Sequence, residues 1–281
     1  MKKIIAAMVA SVLAVAFISI DASAQGRVTT KKYRLSDFAT KTTKVALSSS
    51  NSIIDMALTD EIQKRWRVSP FEFCTFDEYK SLKDTPGYYF LVCSPTDEGV
   101  ITLSLEKGGK EDDSDPMNRP FDIVELPVAP VGALGGRELT FLPSLVDIIQ
   151  DFVEKSSSSD FDAYSGLRGY NKSVRETAGK TYVMAREDIS DGVERIFEPY
   201  PAVKIMDADD ADDRFLEENA GDIVSYGVYP TTFGKNSYAY MMLIDASSHQ
   251  LMYYTRRKVS SASDCGFKLF DAKEITAKLK K

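Results

Sequence analysis

The chain is short of the residues that most often carry chemistry. Among 281 residues there is one histidine, His249, and there are three cysteines, Cys74, Cys93 and Cys265. General acid–base work near neutral pH falls most often to histidine. A single one, in the turn Ser247-Ser248-His249-Gln250, excludes a two-histidine metal motif and reads as a surface turn residue, not the base of a triad. There is no CxxC pair, and Gly132 to Gly136 lacks the Gly-Lys-Ser/Thr ending of a phosphate loop. Positive charge is also scarce: 35 Lys and Arg against 42 Asp and Glu give a net charge of −7. That balance disfavours nucleic acid, whose binding needs a concentrated positive field, and anionic lipid headgroups. Long hydrophobic runs are missing too, with one exception at the start.

That exception has the form of a secretory leader. Met1-Lys2-Lys3 is followed by an apolar stretch from Ile4 to Ile20, and Ala22-Ser23-Ala24 supplies the small-x-small pattern that a signal peptidase accepts. Cleavage is expected after Ala24, with 1–24 as signal peptide and a periplasmic or secreted mature protein. Its loss removes Lys2, Lys3 and Asp21 and moves the net charge to −8. No cysteine follows the cut, so a lipoprotein anchor is not available. Export permits disulfides. Cys74 and Cys93 lie in strand-like runs that could be neighbours, which makes them the candidate pair beside the alternative of buried thiols.

Two stretches of the chain share one pattern. In the first, Lys44 to Ser48 reads as a strand. Ser48 to Asn51 is a turn and cap cluster. Ile54, Leu58, Ile62 and Trp66 recur at helical spacing until Pro70. Phe71 to Phe76 is strand-like, Asp77 to Lys83 a short helix, and Tyr88 to Cys93 and Val100 to Leu105 are strands. In the second, Lys180 to Ala185 is a strand and Asp188 to Phe197 a helix turning Ile189, Val193, Ile196 and Phe197 inward. Val203 to Met206 is a strand and Asp207 to Glu218 a helix, with strands at Asp222 to Tyr229, Tyr238 to Asp245 and Gln250 to Val259. Val45 to Tyr182, Phe71 to Val203 and Tyr89 to Ile223 are offset by 137, 132 and 134 residues. Such regularity signals duplicated units. Between them, Phe121 to Val131 suits an edge strand or extended connection because of its prolines. Leu139 to Lys155 is a helix with Leu142, Leu145, Ile148, Ile149 and Phe152 on one stripe. Phe267 to Lys281 reads as a closing helix with a basic tail. The expected fold class is α/β: two tandem β-α-β-β-β units with mixed sheets covered by helices, plus a linking helix. The units are placed at 25–138 and 175–281, with the helical link at 139–174.

Ala220-Gly221-Asp222-Ile223-Val224-Ser225-Tyr226-Gly227-Val228 resembles a stretch of bacterial envelope α/β modules of the TolB amino-terminal and curli-secretion lipoprotein type. Leu243-Ile244-Asp245-Ala246 with His249-Gln250-Leu251 is similar to their hairpin, and Val45-Ala46-Leu47 with the helix from Ile53 to Trp66 to their opening strand and helix. The lipoprotein cysteine and a pore-forming hairpin pair are missing, so channel activity is not carried over. The resemblance implies a fold and a non-catalytic habit of binding other envelope proteins.

The remaining chemistry is acidic. Asp207, Asp209, Asp210, Asp212 and Asp213 are candidate ligands for a hard cation such as calcium. Ala208 and Ala211 interrupt the run, and Arg214-Phe215-Leu216 continues as a helix, so these acids equally suit a helix start, where they offset the dipole. Glu111 to Asp115 reads as a solvated hairpin tip. Tyr88, Tyr89, Tyr238, Tyr240, Tyr253 and Tyr254 alternate along strands, which leaves a choice between an exposed partner-binding patch and coverage by helices. No catalytic residue and no cofactor is assigned. The leading expectation is an exported, non-catalytic protein that binds or helps assemble another envelope component. The alternatives are a calcium-linked glycan binder, a carboxylate-dependent hydrolase, or a scaffold that only oligomerises.

Overall fold

The computed structural model describes residues 31–48, 52–177, 179–277 and 279; the expected leader and its cleavage site lie outside them. The first unit runs β1 (Thr43–Leu47), α1 (Ile53–Arg65), β2 (Phe71–Thr75), α2 (Phe76–Leu82), β3 (Tyr89–Pro95), β4 (Val100–Lys107) and β5 (Phe121–Pro130). Helices α3 (Arg137–Ser158) and α4 (Asp160–Ser165) follow. The second unit runs β6 (Thr181–Ala185), α5 (Glu194–Phe197), β7 (Val203–Met206), α6 (Ala208–Leu216), β8 (Asp222–Val228), β9 (Tyr238–Asp245), β10 (Leu251–Lys258) and α7 (Leu269–Thr276).

Local chemistry sets these boundaries. Ser52 caps α1, and Asp55 answers in a reciprocal capping box. The Ser48 to Asn51 cluster expected to cap this helix falls partly outside the described residues, and the cap is one residue later. Thr75 caps α2. The ten-residue helix expected from Asp188 to Phe197 is a single turn at its end, α5. Asp188 is held by neighbouring side chains, Ile189 bridges Phe267 as a strand residue, and Gly192 takes a φ of 78°, which breaks helical geometry. The closing helix is likewise shorter than expected.

The two sheets have one topology. Their orders are β2-β1-β3-β4-β5 and β7-β6-β8-β9-β10. In each, the first three strands are parallel and the last two antiparallel. The stretch from Phe121 is therefore the edge strand of the first sheet and the counterpart of β10. Register fixes the equivalences. Thr43 pairs with Phe71 and Tyr89, as Tyr182 pairs with Val203 and Ile223. The counterpart of Tyr182 is thus Thr43, not Val45; a slip of two keeps the face and changes the partner. Even a defect recurs. Ile123 is skipped between the pairs Leu105–Val124 and Glu106–Asp122, and Met252 between Leu243–Tyr253 and Ile244–Leu251.

The units turn opposite faces to each other. On the first sheet Val45, Tyr89 and Leu91 pack with Leu58 and Ile62 of α1 and with α3, in a core shared with the second unit. The other face, with Ala46, Cys74, Phe90 and Val92, is a small satellite under α2. On the second sheet it is the α6 face, with Val183, Ala185, Val224, Tyr226 and Met242, that enters the shared core. Its opposite face, with Tyr182, Met184, Met241 and Leu243, forms a separate core under α5 and α7. Helix α3 serves both units and is buried on more than the one expected stripe, with Phe141, Val146 and Val153 also enclosed. Phe141 stacks on Tyr226 at 4.2 Å and meets Phe215 at 4.3 Å between centroids. Among the described residues no helix is long and apolar enough to cross a membrane.

Candidate functional site: an acidic cavity on the open face of the first unit

Equivalent positions on the α2 and α6 faces have opposite character. The register matches Thr102, Ser104 and Glu106 of β4 with Tyr240, Met242 and Ile244 of β9. It matches Asp122 and Glu125 of β5 with Leu251 and Tyr254 of β10. In the second unit all five are buried in the shared core. In the first unit they are polar; Thr102 and Ser104 are buried all the same, and α2 leaves room beside Glu106 and Asp122.

That room is a cavity of about 640 Å³ between the end of α2, the end of β4 and the start of β5. Its size is within the range of small-molecule and side-chain pockets. Tyr79, Phe90 and Phe121 provide aromatic wall, and Glu106 and Asp122 are in-register neighbours on the lining. Tyr79 Oη donates to Glu106 Oε2 at 2.9 Å. Burial raises the Glu106 carboxyl above its ordinary value; Tyr79 pulls it back, Asp122 pushes it up further, and Lys83 opposes. Asp84, Glu111 and Asp112 also line the cavity, as do Lys83 and Lys110. Lys107 also contributes to the lining, but its ammonium reaches Asp37 at 2.8 Å. The turn that closes the cavity is tight. Gly109 N–H bonds Lys83 O at 2.9 Å, and a Cβ at Gly109 would fall within 2 Å of Asn118 O. Further along the same face, Glu125 is pushed up to about 7, first by burial and then by the Glu98 carboxylate, with Arg256 pulling the other way.

The crevice beyond the carboxyl ends of parallel strands is the usual ligand position in such sheets. In the second unit the chain fills it itself. Arg137 sends Nε to Asp212 at 3.0 Å, Nη1 to Glu187 at 3.1 Å and Asp188 at 3.3 Å, and Nη2 to Ser225 O at 3.1 Å. Asp188 is fully buried and also accepts from Ser225 Oγ at 2.7 Å and Tyr229 Oη at 3.2 Å. Burial pushes Asp212 up to about 6 against the pull of Arg137. A second polar tie, Glu98 with Arg256 and Tyr240, joins the β3–β4 turn to the second sheet.

The aspartates singled out in the sequence do not converge. Asp207, Asp209, Asp210 and Asp213 are exposed at the start and outer side of α6, while Asp212 turns in to Arg137. Among the described residues no group of three or more His, Cys, Asp or Glu side chains is placed to hold a metal ion. The Cys74–Cys93 pairing is not made; all three cysteines are free thiols. Strand β1 lies between β2 and β3, so the two positions are two strand spacings, roughly 10 Å, apart, beyond disulfide reach. They also point to opposite faces, Cys74 under α2 and Cys93 toward the shared core, and burial pushes the Cys93 thiol up to about 12. His249 sits in its turn with a φ of 57°, but its ring is not on the surface. It bonds Asp147 at 2.8 Å and stacks on Phe215. The strand tyrosines are mostly covered as well: Tyr89, Tyr240, Tyr253 and Tyr254 are buried.

No family model matches the chain, and no curated protein or solved structure matches it.

Proposed function

We propose that this is an exported, non-catalytic protein of the bacterial envelope that holds another envelope protein on the α2 face of its first unit. The observation that carries this reading is the exchange at five equivalent positions. Where the second unit has Tyr240, Met242, Ile244, Leu251 and Tyr254, the first has Thr102, Ser104, Glu106, Asp122 and Glu125. Where the second unit's end of this face is apolar and packed within the chain, Glu106 and Asp122 line an acidic recess, which suits a partner that comes and goes in water. The ligand it fits is a basic polypeptide segment, with ammonium groups meeting Glu106 and Asp122 and aliphatic stems lying on Tyr79, Phe90 and Phe121.

In-cell crosslinking of the tagged protein in its envelope fraction tests this. The double variant Glu106→Ile, Asp122→Leu carries the second unit's residues at the same positions and should lose the crosslinked partner while keeping its fold. Equal capture by both forms would remove the site from the interface. Recovery of the protein in the cytoplasm at full length would sink the export half of the reading. One observation favours the hydrolase alternative: the raised Glu106 carboxyl beside Asp122 under an aromatic wall is the kind of pair used in glycoside hydrolysis. Turnover of an oligosaccharide panel, abolished by Glu106→Gln, would establish it instead.

A further inference from the structure

We infer that the basic polypeptide received by this face includes a second copy of the chain, its lysine-rich 268–281 end, so that copies associate head to tail. This rests on the reading above that the α2 face binds protein, and goes beyond it in naming the occupant. Within one chain the α1 face of the first sheet meets the α6 face of the second. The junction is between unlike faces. What remains is the α2 face of the first unit and the outer surface of α7, which itself caps the opposite face of the second sheet. A contact between these two unlike surfaces in different copies leaves one of each kind free and so continues from copy to copy.

Chemistry matches the two surfaces. On α7 Leu269 and Phe270 stand exposed, Phe270 by 68 %. Lys268, Lys273, Lys278, Lys280 and Lys281 concentrate positive charge in that end of an acidic chain. The acceptor offers aromatic wall and five carboxylates, Asp84, Glu106, Glu111, Asp112 and Asp122, against the three ammonium groups of Lys83, Lys107 and Lys110. The internal junction is mainly apolar, with Glu98, Arg256 and Tyr240 as a polar tie. A charged contact between chains is weaker and screened by salt.

Sedimentation velocity tests the inference on the full mature chain. The average mass should rise with protein concentration past that of a dimer, and fall toward the monomer between roughly 0.05 and 0.5 M salt, as the screening length shrinks. Charge reversal identifies the faces. Lys273→Glu with Lys278→Glu, and separately Glu111→Lys with Asp112→Lys, should each give a monomer with an unchanged melting temperature. An equimolar mixture should associate again, since each variant supplies what the other lacks. A monomer at every concentration overturns the inference. So does a closed dimer, or association that survives both variants. Loss of self-association alone leaves the partner site standing if the Glu106→Ile, Asp122→Leu crosslinking difference persists; loss of that difference while copies still associate through charge-matched faces removes the envelope partner instead.

Discussion

The first and second units share strand order, parallel and antiparallel pairs, and a bulge at one ladder position. They differ in which face is closed. The second unit is covered on both, by α3 and α6 on one side and α5 and α7 on the other. The first is covered on one and half-covered on the other, where α2 stops short of a cavity. Buried charge is inverted as well. Lys107 and Asp245 are counterparts by register, each almost fully buried; Lys107 bonds Asp37, and Asp245 bonds Lys180. Two ladders of one topology thus share hydrogen-bond geometry while the side chains on their faces differ. Backbone pairing asks nothing of the side chain beyond its direction, whereas packing against a neighbour does.

The sharpest way to break this comparison is reciprocal substitution at one position. Ile244→Glu places a carboxylate in the shared core and should cost on the order of 4 kcal/mol or leave the protein unfolded. Glu106→Ile should move stability by no more than about 1 kcal/mol, both read by urea denaturation. Equal effects would mean that the α2 face is as enclosed as the α6 face. Phe141→Ala comes next, at about 3–5 kcal/mol. Because Phe141 touches Phe215 and Tyr226, the loss should appear in one cooperative transition. Two separated transitions would show that the halves are held together by something other than α3.

Arg137→Met tests the filled crevice. It leaves Asp188 buried without its cation and should cost about 3 kcal/mol near neutral pH. The smallest expected effect is a pH slope in the first unit. The folded Glu125 carboxyl sits at about 7, above its ordinary 4.5. Its contribution is therefore fully present below about 4.5 and is lost as pH rises through about 7, by on the order of 1–3 kcal/mol. Glu125→Gln should flatten the melting temperature between pH 5 and pH 8; an unchanged slope would locate the proton elsewhere. Asp37 runs the other way. Burial alone would raise its carboxyl, but Lys107 and Tyr89 hold it below its ordinary value. Its contribution is present above the unfolded value and fades as pH falls through the folded one.

Elements with strong local signals were legible in the sequence. Strand β9 matches its expected span, and α1 was readable from four apolar residues at helical spacing and a proline beyond them. The Asp188 to Phe197 segment was misread because its apolar spacing fits a helix, while Gly192 and the ties on Asp188 act through backbone conformation and tertiary contact. The one-face reading of α3 failed for a related reason: periodicity reports which side of a helix is most apolar, not how many neighbours enclose it. The cavity was missed although a signal existed. With register known, Glu106, Asp122 and Glu125 stand against Ile244, Leu251 and Tyr254, a contrast that an alignment of the halves by offset alone blurs. Arg137 carried no such mark; its partners lie about 50 to 90 positions away along the chain.

The bulge at Ile123 and Met252 is independent of its setting. Ile123 lies in the core common to both halves and Met252 in one private to the second, so present surroundings do not explain why both ladders skip a residue at the same rung. The crease belongs to the ribbon itself: the same kink is lined by a common interior in one half and by a secluded one in the other, so either lining can be fitted to it without redrawing the ladder.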